Sequence, residues 1–179
     1  MDKFSLQNIK KLTSLHNELE YEKATLVFLK LRVLLKEDKS YGVIRDHLRV
    51  LIKNYEKDIW AEENHISEDK LKESDLAEML VQDENRFYQK RKEVIRRKLV
   101  KAGLNQTNLA NILGHRKGYM SELINGLRQF SKEDIVIINR LLKIRLEELM
   151  PTFIKQEKAI RIKKSLKSIS KCKIKPDQF

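Results

Sequence analysis

The side chains that commonly act in catalysis or metal binding are few and widely spaced in this 179-residue chain. Its four histidines, His16, His47, His65 and His115, have no cysteine partner at metal-ligand spacing, and the single cysteine, Cys172, has no second thiol with which to pair. Acidic residues are numerous, but no pair of them is distinguished, and no glycine-rich phosphate loop is present. We therefore expect neither an enzyme nor a metal or other cofactor.

The residues suited to chemistry with a partner are basic and amide side chains between Gln106 and Arg128. Such side chains bind phosphates and read the edges of bases. The net charge of +12 is unevenly distributed: residues 1–84 carry −4, residues 85–154 carry +9, and residues 155–179 carry +7. An acidic first half and a basic second half indicate two surfaces with different partners, the basic one suited to nucleic acid. A merely soluble basic protein would have the same total charge, so the prediction requires a motif.

Two short helices with a glycine between them are expected inside this basic segment. The first opens at Asn105 or Gln106, and Gly114 then turns the chain, because a positive φ costs glycine little. The second helix runs from Arg116 or Lys117 to Asn125, and Gly126 ends it. The predicted inward residues are Leu109, Ile112 and Leu113 on the first helix and Met120, Leu123 and Ile124 on the second; the predicted outward residues are Lys117, Gly118, Ser121, Glu122 and Asn125.

The pattern Gln-x-x-Leu-Ala-x-x-Leu-Gly at 106–114, followed by Tyr-Met-Ser-Glu-Leu-Ile-Asn-Gly at 119–126, resembles the Xre or Cro/C1 class of helix-turn-helix proteins. The resemblance extends from about Glu93 to Pro151, roughly a third of the chain. It implies a five-helix lambda-repressor-like domain, completed by a helix that Ser131 caps and a short helix that Pro151 ends. In such a domain the second helix of the motif enters the major groove of DNA.

The resemblance also implies roles for single residues. Gln106 would contact a phosphate, Lys117 would read a base, and Asn125 would bind the DNA backbone. Gly118 departs from the family pattern, because it has no side chain with which to read a base at that position. The complete predicted DNA-binding set is Gln106, Thr107, Arg116, Lys117, Gly118, Tyr119, Ser121, Asn125 and Arg128.

The first half of the chain is expected to be helical as well. Apolar residues at 24, 27, 28, 31, 34 and 35 form the stripe of an amphipathic helix over residues 18–36, and residues 41–60 resume this spacing after a break. A long helix is predicted from about Asp75 to Ala102 and ends at Gly103. Its predicted apolar face consists of Leu76, Leu80, Phe87, Val94, Ile95 and Leu99, and eight basic residues decorate it between Arg86 and Lys101.

These elements predict an all-α protein with three regions: an acidic helical region for a partner or for dimerisation (1–74), the helix-turn-helix domain (75–151) and a basic tail (152–179). A helical region placed before a Cro/C1-type motif resembles the HigA group of type II antitoxins. That resemblance implies a homodimer that represses its own operon and neutralises a small, basic, RelE/HigB-like mRNA-cleaving toxin. The predicted toxin-binding residues are Glu18, Glu20, Tyr21 and Glu22, whose acidity would suit a basic nuclease.

The alternative is a stand-alone or phage-type repressor of the Xre family whose N-terminal helices only dimerise. The basic tail could be an amphipathic helix or a disordered arm, and DNA explains its charge better than a membrane does. No apolar run approaches the ~18–20 residues of a membrane span, and the first residues do not resemble a secretory signal. We therefore expect a cytoplasmic protein.

Overall fold

The computed structural model describes residues 3–61, 68–154 and 156–169, and all regular structure within them is helical, which confirms the all-α prediction. Residues 1–149 form one compact unit and residues 150–179 a second, so the predicted regions 1–74 and 75–151 share a unit as far as residue 149. The helices are α1 (Leu6–Ile9), α2 (Glu18–Leu34), α3 (Tyr41–Ala61), α4 (Glu68–Lys101), α5 (Gln106–Ile112), α6 (Lys117–Ile124), α7 (Lys132–Leu142), α8 (Leu146–Leu149) and α9 (Gln156–Ser168).

The first core of the larger unit lies among α1, α2 and α3. Asn17 caps α2, its side chain accepting a hydrogen bond from the Glu20 amide at 3.0 Å. The predicted apolar stripe of α2 faces this core, with Leu31 and Leu34 fully buried and Leu48 of α3 opposite them in the same cluster. The α2–α3 connection is a tight turn, because the Asp38 carboxylate accepts a hydrogen bond from the Ser40 amide at 2.8 Å.

The buried face of α4 differs from its prediction in the first half of the helix. The structure buries Ala77, Val81 and Tyr88, whereas Leu76, predicted to be inward, is 44% exposed. The difference arises because the first half of α4 packs on α2, while the second half packs on α5 to α8. A single stripe of apolar residues does not describe a helix that packs on different neighbours along its length. A shift of one residue in the sequence rotates the buried face by about 100°. The last turns of α4, with Val94, Ile95 and Leu99 buried, are as predicted.

The second core is formed by α4 together with α5, α6, α7 and α8. Gly103, Gly114 and Gly126 all have φ near +70° at the ends of helices, as predicted. At Gly126 a β-carbon would also lie 2.6 Å from the Tyr88 ring, so this position excludes any side chain. Ile112, which was predicted to face inward, is exposed, because it lies at the end of α5.

Lys30 of α2 lies where α2 packs on α4, with its ammonium group 5.2 Å from the centre of the Tyr88 ring. Burial lowers the pKa of Lys30 to about 8; Glu84 opposes this shift, and Arg91 and Lys92 add to it. The folded protein therefore holds this proton less tightly than an unfolded lysine does. A buried cation of this kind costs stability at neutral pH.

Lys30→Met is expected to raise the free energy of unfolding at pH 7 by about 1–3 kcal/mol, because it removes this cation and keeps an apolar stem. Between the folded pKa of about 8 and the ordinary value of 10.5 the unfolded chain binds more protons at this position. The free energy of unfolding of the wild type should therefore approach that of the variant as the pH rises through that window. Urea unfolding of both proteins at about pH 7 and about pH 9.5 measures the difference. A difference that widens with pH would contradict this account.

The smaller unit contains α9, which settles the tail as helical over residues 156–168. Among its basic side chains, Lys158, Arg161, Lys164 and Lys167 are exposed, whereas Ile162 and Leu166 are half-buried. The helix is thus amphipathic and cationic. Cys172 lies outside the described residues.

Candidate nucleic-acid interface

Hydrogen bonds fix both ends of α5, and those at its C-terminal end fix the turn into α6. Asn105 and Asn108 form a reciprocal capping box at the start of α5, with both bonds at 2.9 Å. After α5, Gly114 adopts a φ of +69°, and the His115 amide donates to the Ala110 carbonyl at 2.8 Å. These bonds satisfy the free end of α5 and reverse the chain into α6.

His115 has a structural position in this turn. Its Nε2 lies 3.0 Å from Oδ1 of Asp134, a buried carboxylate that also takes part in the capping box of α7 with Ser131. The pair joins the turn to the first turn of α7. The His115 ring is only partly exposed, and its bond to Asp134 helps to hold the turn.

The N-terminal end of α6 presents basic and aromatic side chains to solvent. Arg116 and Lys117 are exposed, and Tyr119 beside them is 39% exposed. The Arg128 guanidinium lies 5.2 Å from the centre of the Tyr119 ring. The His115 and Tyr119 rings pack edge to face, with their centres 5.0 Å apart. The structure therefore brings four predicted DNA-binding residues together at one end of α6, where an exposed cation pair can meet phosphates or base edges.

The two predicted residues at the start of α5 are at the surface as well. Thr107 is exposed and Gln106 is half-buried. Both lie in the first turn of their helix, where free backbone amides and the positive end of the helix dipole favour an anion.

The rest of the predicted outward face of α6 is not outward. Ser121 is 1% exposed, and Glu122 and Asn125 are also buried, so the prediction that these three residues face solvent is wrong. Met120, Leu123 and Ile124 occupy the opposite face and lie in the core, as predicted. Five of the eight residues of α6 are buried in total.

The cause is a layer of contacts from α3 and α4. The Tyr41 hydroxyl, at the start of α3, donates to Oε1 of Glu122 at 2.6 Å, and Arg128 donates to Oε2 of the same carboxylate. On the other side, Lys92 of α4 donates to the Asn125 side-chain oxygen at 2.7 Å. The Asn125 amide in turn donates to the Ser121 carbonyl at 2.8 Å. The polar side chains of Glu122 and Asn125 are thus bonded to other parts of the protein.

Tyr41 and Lys92 are functional candidates that sequence reasoning missed. In the sequence, Tyr41 is only the first apolar residue of a predicted helix. Lys92 is one of eight basic residues on another. The one available signal was Gly118, which departs from the family pattern. The Tyr41 hydroxyl lies 3.8 Å from where a β-carbon on Gly118 would be, so a long side chain there would compete with Tyr41 for space.

The basic residues of α4 divide into two groups. Arg86, Lys90, Arg96, Arg97 and Lys101 are exposed, and the last four line a shallow groove with Glu93 and Glu148. Arg91 is buried, and Lys92 and Lys98 are half-buried. Only the first group is available to a polyanion.

The four predicted toxin-binding residues are half-buried, and three of them are already bonded within the chain. Glu18 accepts from the Tyr55 hydroxyl at 3.1 Å, and Glu20 from the Lys3 ammonium at 2.5 Å. Tyr21 stacks on Tyr55 with ring centres 5.2 Å apart and donates to a carboxylate of α3. Burial and this hydrogen bond raise the pKa of Tyr21 to about 12.

Glu22 also faces other side chains. Burial raises the pKa of Glu22, and the nearby charges of Glu78 and Glu18 add to the effect. Glu18, Glu20 and Tyr21 are therefore bonded within the chain, whereas Glu22 lies near other carboxylates, and the acidic surface is less open than expected. The reason is that an acidic residue on a helix between two others finds internal donors such as Tyr55.

Within residues 3–61, 68–154 and 156–169, the structure contains no group of three or more histidine, cysteine or acidic residues placed to hold a metal ion. None of the helices in these ranges combines the length and apolar character that a membrane span requires. In comparisons with protein-family models, with curated proteins and with solved structures, nothing matches this chain.

Proposed function

We propose that this protein is a transcriptional regulator that binds duplex DNA through the α5–turn–α6 segment. The observation that carries the proposal is the exposed Arg116–Lys117 pair at the N-terminal end of a short helix that follows a tight glycine turn. In helix-turn-helix proteins this end of the second helix contacts base edges. The exposed hydroxyl of Thr107, at the start of α5, offers a second contact to the DNA backbone.

The sequence-specific part of the proposal assigns base contact to Lys117. Lys117→Ala is expected to weaken binding to the duplex upstream of the gene by about 5- to 150-fold, the loss of about 1–3 kcal/mol typical of a base contact. Fluorescence anisotropy on that duplex and on a shuffled duplex of equal length measures both affinities. Lys53→Ala, which removes an exposed lysine from α3, is the matched control and should leave both unchanged.

Two outcomes would count against this assignment. An equal loss on both duplexes would show that Lys117 holds phosphate only. Failure of both the wild type and Tyr41→Phe, which removes the hydroxyl bond from Tyr41 to Glu122, to bind either duplex at low salt would overturn the proposal of a DNA-binding regulator.

We further propose that the regulator is an antitoxin that binds a small, basic, mRNA-cleaving toxin. The acidic charge of residues 1–84, against the basic remainder, supports this proposal over a repressor whose N-terminal helices only dimerise. Co-expression of the full-length chain with the adjacent reading frame tests it: the antitoxin restores growth and co-purifies with the neighbour. The full chain is required because residues 1–74 pack in one unit with the rest of residues 1–149.

A further inference from the structure

The second helix of the motif, α6, is covered on both sides in this structure. One side carries Met120, Leu123 and Ile124 in the core. The opposite side, which would have to face DNA, meets Tyr41 and Lys92. A helix with its side chains is about 10–12 Å across, and the major groove is about 12 Å wide. A helix that is covered along its outer side therefore cannot enter the groove beyond its exposed N-terminal end.

The part of the cover that lies over Glu122 and Gly118 is the α2–α3 corner, residues 35–41, from which Tyr41 reaches α6. Its side chain is 7% exposed, and its hydroxyl donates to the 8%-exposed Glu122. Burial and this hydrogen bond raise the pKa of Tyr41, so the hydroxyl remains a donor at neutral pH. Leu127, just after α6, packs into the core of α1–α3 and extends the same contact.

The cover is held by few polar bonds. Glu122 receives one bond from Tyr41 and one from Arg128, and Arg128 also stacks on Tyr119. When Tyr41 leaves, Arg128 can still neutralise Glu122, so opening does not leave an isolated buried charge. The cost of opening is then set mainly by one charge-assisted hydrogen bond and the packing around it.

We infer that the α2–α3 corner is an autoinhibitory cover, which must leave α6 before the protein can bind duplex DNA with its full affinity. The inference rests on the proposed DNA-binding function. The apparent affinity for DNA is the affinity of the open form reduced by the fraction of molecules that are open. Any ligand that binds the corner better in one of the two forms changes DNA affinity in the corresponding direction.

The test removes the hydroxyl that holds the cover. Tyr41→Phe is expected to bind a duplex of about 30 base pairs about 5- to 50-fold more tightly than the wild type, because the open fraction rises when a buried bond to a charged group is lost. The control is Tyr55→Phe, which removes an equivalent hydroxyl bond, to Glu18, in the core between α2 and α3. It should lower the melting temperature to a similar degree and leave DNA affinity unchanged.

A second measurement reports opening without DNA. Ser121→Cys, in a chain with Cys172→Ser, places a thiol at a position that is 1% exposed. Its reaction with a thiol reagent should be slow, and about tenfold faster when Tyr41→Phe is added, because labelling follows the population of open molecules. Melting curves and circular dichroism confirm that each variant remains folded.

The outcomes separate this inference from the proposed function. Faster labelling with tighter DNA binding, in Tyr41→Phe but not in Tyr55→Phe, supports the cover. Unchanged DNA affinity in Tyr41→Phe, with the wild type already binding tightly, overturns the cover and leaves the DNA-binding function standing. Unchanged labelling also overturns the cover. Faster labelling with no DNA binding by any variant overturns the proposed function, and the cover as a regulator of it.

Discussion

Raising the salt concentration from about 50 to 200 mM is expected to weaken DNA binding by about 10³- to 10⁵-fold, if a dimer neutralises roughly 6–10 phosphates. Each phosphate contact releases condensed counterions, so affinity falls linearly with salt on logarithmic axes. The structure limits which cations can contribute. Arg116, Lys117 and Lys132 are exposed in and after the α5–α6 segment, whereas Arg91 is buried and Lys92 is engaged with Asn125.

Anisotropy titrations at four or more salt concentrations give the slope. If Lys117 touches the DNA, Lys117→Ala should reduce the magnitude of the slope by about one unit per bound protomer. Lys53→Ala serves again as the control, since its side chain lies on α3 in the acidic half. A flat salt response of the wild type would contradict a basic DNA-binding surface.

The largest expected loss of stability comes from Arg91, in the middle of α4. Its guanidinium donates to the Leu123 carbonyl at 2.9 Å and lies near the Leu149 carbonyl at 3.5 Å. It also lies 4.8 Å from the centres of the Tyr88 and Phe130 rings. Burial lowers the pKa of Arg91 to about 10, although a guanidinium at that value remains charged at neutral pH. Arg91 thus joins α4 to the C-terminal ends of α6 and α8.

Arg91→Ala is expected to lower the free energy of unfolding by about 3–5 kcal/mol, because it leaves a cavity and removes the donor to carbonyls at two helix ends. Arg91→Met keeps most of the volume and should cost less, about 1–3 kcal/mol. Urea unfolding followed by circular dichroism measures both values.

Arg96→Ala is the matched control, since Arg96 is an exposed arginine one and a half turns further along the same helix. It should change stability by less than about 0.5 kcal/mol. The two arginines should also differ in their effect on DNA, because only the exposed one can meet a phosphate. A stability loss in Arg91→Ala as small as that in Arg96→Ala would show that the carbonyl contacts contribute little.

Local features of the chain were predictable because their causes are local. The ends of helices at Gly103, Gly114 and Gly126, the cap at Ser131 and the boundaries of α6 each follow from a few neighbouring residues. Capping and positive φ act within one turn of the chain, so they are visible in sequence. For the basic tail, the sequence left two possibilities, an amphipathic helix and a disordered arm, and the structure has the helix.

Predictions of which residues of one helix contact another helix were less accurate. The inward face of the first half of α4 was assigned to Leu76, whereas packing on α2 buries Ala77 instead. Glu18 was predicted to face a partner, whereas Tyr55 and Ser74 bind it from other helices. Periodicity shows that a helix has an apolar face, but it does not identify the polar groups that neighbouring helices bring to the other faces.

The sequence by itself determined an all-helical chain, a glycine turn between α5 and α6, and a basic pair, Arg116 and Lys117, at the start of α6. Only the tertiary structure decided that Ser121 and Asn125 are enclosed and that Tyr41, eighty-one residues before Glu122, lies against α6. The physical reason is the distance along the chain over which the interactions act. A turn or a cap is a property of adjacent residues, whereas the environment of an outward side chain depends on which distant helix packs over it.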